Sequence, residues 1–225
     1  EKNKSPIAIS GLSSVSQEYL ITAVNEYTKR PILLITYNDI AAQNLIQNFN
    51  FFTDKAVFLP KKEIVTYDYI AESKNLPYER IEVLNKIYKE KNNIIVTSVE
   101  TLMQKMISKK ALYKNTLKFK VGDICNLEET KQKLLSLGYK RFDLIDGRGE
   151  FSVRGGILDI AITQTKGIRI ELWGDEIDSI RTFSIISQRS IEQENQIEIF
   201  PAHEYILEKP KDDVIKKIKE KVYLE

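Results

Sequence analysis

The stretch Pro31-Ile32-Leu33-Leu34-Ile35-Thr36 decides the fold class. An aliphatic run with no polar alternation is the pattern of a parallel strand buried on both faces. Helical spacing lies on either side. Val15, Tyr19, Leu20, Ala23, Val24 and Tyr27 form one stripe between Ser14 and Tyr27, and Ile40, Leu45, Ile46 and Phe49 form another, capped by Asn38 or Asp39. Further strands are expected at Ile7-Ala8-Ile9, at Ala56-Val57-Phe58-Leu59 before Pro60, and at Ile94-Ile95-Val96-Thr97. Arg80 to Glu90 carries a helical stripe of Ile81, Leu84, Ile87 and Tyr88, and Ser98 caps a helix running from Val99 to Met106. This alternation predicts an α/β domain, a doubly wound parallel sheet, over residues 1–115.

The pattern changes after Asn115. Thr116 to Lys120 alternates like an exposed strand, and Leu127 to Leu137 reads as one amphipathic helix ended by Gly138. Short strands then follow, separated by turns at Asp146-Gly147-Arg148-Gly149, Gly155-Gly156, Thr165-Lys166-Gly167 and Gly174-Asp175. Hairpin spacing predicts a smaller α+β domain over 116–204, an antiparallel sheet covered by one helix and inserted in the first domain. Residues 205–225 read as a return segment with a lysine-rich helix at Asp212 to Val222.

Composition narrows the function. Hydrophobic residues are 42% and charged residues 29% of the 225, as in soluble globular domains, and no apolar run has the roughly 18 residues of a membrane span. The opening Glu1-Lys2-Asn3-Lys4 lacks both Met and a signal-like stretch, which suggests a trimmed chain. One cysteine, Cys125, and one histidine, His203, argue against a disulfide, a zinc site and Ser-His-Asp or Cys-His catalysis. A cytoplasmic location fits this cysteine usage. Residues 1–115 hold 16 Lys+Arg against 12 Asp+Glu, a balance of +4, and residues 116–204 hold 12 against 15, a balance of −3. Neither is the strong basic excess of a dedicated nucleic-acid binder.

Two sites stand out. A phosphate-binding loop between a strand and a helix needs Gly-x-x-x-x-Gly-Lys-Ser/Thr, glycines for backbone approach, a lysine for the phosphate charge and a hydroxyl for Mg²⁺. The corresponding stretch is Gly11-Leu12-Ser13-Ser14-Val15-Ser16-Gln17-Glu18. Gly11 is in place, but Ser16 replaces the second glycine, Gln17 the lysine and Glu18 the hydroxyl residue, and a carboxylate there repels a triphosphate. An ordinary turn before a helix is the simpler reading. The second site lies in Ile168-Arg169-Ile170-Glu171-Leu172-Trp173. Alternation puts the three aliphatics in the core and Arg169, Glu171 and Trp173 on the opposite face. Phe151-Ser152-Val153-Arg154 sends Arg154 outward before Gly155-Gly156, so Arg154, Arg169 and Trp173 can meet on one exposed surface. Arginine and tryptophan dominate protein-interface hot spots; an Arg stacked on Trp as a local cation–π contact is the alternative. Asp175, Glu176 and Asp178 read as a solvated turn, His203 as a structural residue, and Tyr67-Asp68-Tyr69 as packing rather than a ladder for single-stranded DNA.

Several blocks together resemble the bacterial transcription-repair coupling factor family (Mfd): Gly-Glu-Phe-Ser-Val-Arg-Gly-Gly-Ile-Leu-Asp-Ile at 149–160, Gly-Asp-Glu-Ile-Asp-Ser-Ile-Arg at 174–181, Ser187-Gln188-Arg189, and Ile199-Phe200-Pro201-Ala202-His203-Glu204. UvrB carries looser versions. The resemblance implies a degenerate P-loop-NTPase-like first domain (UvrB-like domain 1a), a UvrA-binding second domain, and the start of domain 1b after 205. It implies a docking module that recruits UvrA in transcription-coupled nucleotide excision repair, with no catalytic residue, cofactor or metal of its own. UvrB's damage-probing hairpin follows its Tyr-Asp-Tyr segment; here too few residues separate Tyr67-Asp68-Tyr69 from the helix at Glu79 to form one. The family's UvrA-contacting residues, two arginines and an aromatic that is often Phe, match Arg154, Arg169 and Trp173. RNA polymerase and DNA are met by other domains of the full-length proteins, and a C-terminal domain masks the UvrA surface. The competing reading is a DNA-binding module of a UvrB-like repair protein, tracking DNA with its basic first domain; that binding falls steeply with salt. A third, a residual nucleotide hydrolase, conflicts with Gln17 and Glu18.

Overall fold

The computed structural model describes residues 6–63, 75–206, 215–216 and 219–220. Tyr67-Asp68-Tyr69 and most of the lysine-rich helix expected at Asp212 to Val222 lie outside them. The fold is mixed α/β, with one parallel and one largely antiparallel sheet, and the chain divides into two compact units. Residues 1–76 and 82–105 form the first, and 77–81 and 106–225 the second.

The first unit runs α1 (Ser14–Thr28), β1 (Ile32–Thr36), α2 (Asp39–Phe49), β2 (Ala56–Leu59), most of α3 (Leu76–Lys89), β3 (Ile94–Ser98) and α4 (Val99–Leu102). Its sheet is parallel, in the order β1-β3-β2. Asn38 caps α2 by accepting from the Ala41 amide, and Ser98 caps α4 by accepting from the Thr101 amide, each satisfying a donor that the helix itself leaves unpaired. Ala42 and Phe49 of α2 close over Ile94 and Val96 of β3 to make the core.

Three expectations change here. β1 is not covered on both faces: Leu33 and Ile35, on one face, are each 50% exposed, and among the described residues β1 has a strand on one side only. Ile7-Ala8-Ile9 forms no strand, and Ile7 and Ile9 stand exposed; three residues give too few ladder bonds to hold a segment without a partner strand. The helix after Ser98 stops at Leu102, and a separate helix capped by Ser108 follows.

The second unit runs α5 (Lys109–Lys114), β4 (Leu117–Lys120), α6 (Leu127–Ser136), β5 (Lys140–Arg141), β6 (Glu150–Arg154), β7 (Ile157–Ala161), β8 (Lys166–Trp173), β9 (Glu176–Ser184), β10 (Ser190–Glu194) and β11 (Gln196–Ile199). Six strands form one sheet in the order β10-β9-β8-β7-β6-β5. It is antiparallel except for the short β5–β6 pairing, while β4 and β11 form a ribbon of their own. Asn126 caps α6, accepting from the Glu128 and Glu129 amides. Leu134 and Leu137 then pack on Phe151, Leu158, Ile160, Ile168, Ile170 and Ile180.

The Pro201-Ala202-His203-Glu204 segment closes this unit. The Ala202 amide donates to the Leu137 carbonyl at 2.9 Å, and the Tyr139 hydroxyl donates to the Phe200 carbonyl at 2.9 Å. Gly138, at φ +91°, leaves room for the His203 imidazole, which any Cβ there would overlap. Glu204 accepts from Arg80 Nε at 2.6 Å and from the Ile107 amide at 3.1 Å. The Arg80 and Glu204 side chains are 2% and 4% exposed. Removing one partner of such a pair leaves a buried charge uncompensated. Arg80→Ala is therefore expected to destabilise the second unit by about 3–5 kcal/mol in urea unfolding, whereas Lys110→Ala on the surface changes stability by less than about 0.5 kcal/mol.

Candidate protein-docking site

The outer face of the six-stranded sheet is organised around Asp159. On β7 the register sets Asp159 between Ser152 of β6 and Arg169 of β8. Its side chain is 1% exposed, and both arginines reach it. Arg169 Nε donates to Oδ1 at 2.7 Å and its Nη2 to Oδ2 at 2.9 Å. Arg154 Nη2, arriving diagonally from β6, donates to Oδ2 at 3.0 Å. A forked pairing of this kind fixes geometry as well as charge. The hydrogen bonds that Arg169 donates to Asp159 also hold its pKa above the ordinary value, against the opposing effect of burial.

Arg169 is held from two more directions. Its guanidinium lies over the Phe183 ring, 4.5 Å from the centroid, and it donates to Gln188 Oε1 at 3.3 Å. The Phe183 ring reaches that position by lying over Gly167, where a Cβ would stand 2.7 Å from it. Gln188 adopts φ +57° in the turn before β10 and anchors its own amide on the Ile185 carbonyl. The result is a rigid Arg169, 19% exposed, beside an Arg154 that is 49% exposed and attached by one hydrogen bond. A second pair, Arg181 to Glu171 at 2.6 Å, lies on the same face.

Trp173 stands at the end of β8, 85% exposed. It shares the outer face by alternation and lies four residues beyond Arg169, about 13 Å along the strand. The two arginines thus meet on Asp159, while Trp173 extends the face rather than touching them. Arg169 stacks on Phe183 and not on the tryptophan. Ile168 and Ile170 are fully buried and Leu172 packs against the same core, as alternation requires. Asp175, Glu176 and Asp178 are exposed around the Gly174-Asp175 turn. Asp159 and Gln188 stand in the blocks that resemble the family, but neither they nor Phe183 were read as site residues. An aspartate in the otherwise apolar Ile157-Leu158-Asp159-Ile160 run was the available signal for the first of them.

The second candidate is differently built. Gly11 has φ +80° and open space around it. The Ser13 and Ser16 hydroxyls bond each other at 2.8 Å, and Ser16 and Gln17 are exposed. Glu18 turns inward instead: it is fully buried and accepts from Asn48 Nδ2 at 2.7 Å, tying α1 to α2. Among the described residues no group of three His, Cys, Asp or Glu could hold a metal ion, and no helix is long and apolar enough to cross a membrane.

Comparison with known proteins agrees on one family. The UvrB interaction domain family matches residues 117–205. A transcription-repair-coupling factor of Bacillus subtilis is 32% identical over 202 residues, 88% of this chain. That of Staphylococcus aureus strain RF122 is 31% identical over 216 residues, 95% of this chain. The chain belongs to the transcription-repair-coupling factor family. It corresponds to the UvrB-homology module of that family, and it spans only 17% and 18% of the length of these two relatives. Within the transcription-repair-coupling module, the matched interaction domain holds Arg154, Asp159, Arg169, Trp173 and Gln188; Gly11 to Glu18 lie outside it.

The site residues differ in what their loss does to the fold. Trp173→Ala removes an exposed ring and is expected to leave unfolding free energy within about 0.5 kcal/mol of the parent. Arg169→Ala leaves a buried carboxylate with Arg154 as its remaining arginine partner and is expected to cost about 3 kcal/mol. Urea titrations of both variants check this.

Proposed function

We propose that this chain is a docking module for UvrA, acting in transcription-coupled nucleotide excision repair. The observation that carries the reading is a fully presented tryptophan on the same sheet face as a pre-positioned arginine pair, inside the segment matched by the UvrB interaction domain family. Exposed tryptophan and arginine are the residues from which interface hot spots are built. An arginine pair fixed before the partner arrives reduces the ordering entropy of association. Arg154, Arg169 and Trp173 are the proposed UvrA contacts.

The same reading assigns no chemistry to the first unit, as a degenerate P-loop-NTPase-like domain. The turn of Glu18 into the α1–α2 packing and the place of Gln17 where a phosphate-binding lysine would stand both favour a structural segment over a nucleotide site. RNA polymerase, DNA and a masking C-terminal domain are assigned to regions of the family's longer proteins beyond this chain, and a cytoplasmic location follows from the repair role. DNA binding by the first unit is the alternative; it requires affinity to fall steeply with salt and to depend on lysines within residues 1–115.

Calorimetric titration of the chain into UvrA without nucleotide is expected to give saturable binding. Trp173→Ala should weaken it by at least about tenfold, and excess chain should displace UvrB from UvrA. Saturable binding to DNA with none to UvrA would overturn the proposal.

A further inference from the structure

The two arginines are treated alike by the docking reading, yet their surroundings differ sharply. Arg169 spends Nε and Nη2 on Asp159 and Gln188 and has its plane against Phe183. Arg154 gives a single hydrogen bond to Asp159 and is 49% exposed. Two guanidinium groups share the single Asp159 carboxylate, so this cluster keeps a net positive charge, and the more exposed of the two groups belongs to Arg154.

We propose that Asp159 is a positioning residue that makes Arg169 a fixed support and Arg154 the arm that delivers charge to an acidic side chain of the partner. This rests on the docking reading and deepens it. Asp159 is too buried to meet a partner itself. It pairs with the Arg169 guanidinium through both oxygens and holds Arg154 by one terminal nitrogen, Nη2, leaving that group's other N–H donors for a carboxylate. A guanidinium presents such donors in a planar fork that a lysine cannot reproduce. Tethering at one nitrogen reduces the rotamer freedom that Arg154 would otherwise lose on binding.

The test is a set of titrations of the 225-residue chain into purified UvrA, with thermal unfolding followed on each variant. Arg154→Ala is expected to weaken binding at least about tenfold. Arg154→Lys should recover only part of that loss. Asp159→Asn should weaken binding comparably, and adding it to Arg154→Ala should cost little more, since positioning has no effect once the arm is gone. The affinity of the parent should fall with salt more steeply than that of Arg154→Ala. Additive losses from Asp159→Asn and Arg154→Ala would overturn the positioning role, as would full recovery by Arg154→Lys. Should Asp159→Asn fail to fold, the Arg154→Lys titration and the salt comparison decide the matter alone. Trp173→Ala separates the two levels: if it too binds like the parent, the docking reading itself fails, whereas if it alone weakens binding, only the assignment to Arg154 and Asp159 fails.

Discussion

A carboxylate with 1% exposure in the middle of a β-sheet cannot stand alone, and the outer face of the second unit is arranged around this constraint at Asp159. Burying an unpaired charge is among the most costly events in folding. Two arginines from the flanking strands are therefore drawn to it, and their guanidinium groups settle where the carboxylate is rather than where solvent would place them. Further features follow. Phe183 lies flat beneath Arg169, Gly167 stays free of a side chain so that the ring can do so, and Gln188 turns at positive φ to reach the same guanidinium. A single acidic residue thereby converts flexible cationic side chains into a fixed surface.

The most recognisable parts of the sequence divide into two kinds of work. Pro201-Ala202-His203-Glu204 is structural. Its backbone and side chains clasp Leu137, Gly138, Arg80 and Ile107 and so tie the end of the second unit to its beginning. Gly149 is structural for the same reason, since any Cβ there would overlap the Tyr78 hydroxyl. The Gly-Gly-Ile-Leu-Asp-Ile run and the Ser187-Gln188-Arg189 turn instead supply groups to the outer face.

Much of this was legible in the sequence because the β period is two. Alternation in Ile168 to Trp173 placed three aliphatics inside and Trp173 outside, and the hairpin turns fixed which strands pair. Capping residues Asn38 and Ser98 located helix starts for the same local reason. What escaped depends on distance in the chain. Asp159 and Arg169 are ten residues apart and Arg169 and Phe183 fourteen, so their contacts exist only once the strands are in register. The exposure of Leu33 and Ile35 on one face of β1 likewise depends on what packs over the sheet, which an aliphatic run does not encode. Ile7-Ala8-Ile9 failed as a strand because apolar composition without a pairing partner fixes nothing. Gly11, Gln17 and Glu18 were readable as residues, but the inward turn of Glu18 toward Asn48 was not.

Amide hydrogen exchange of the whole chain, with and without UvrA, tests the central claim most directly. Binding through the outer sheet face should slow exchange at the Arg154–Ile157 turn and around Trp173 to Glu176, and leave the residues around Gly11 and Glu18 unchanged. Slowed exchange confined to residues 6–63, or none anywhere under saturating UvrA, would contradict the assignment of the docking surface to the arginine pair and Trp173.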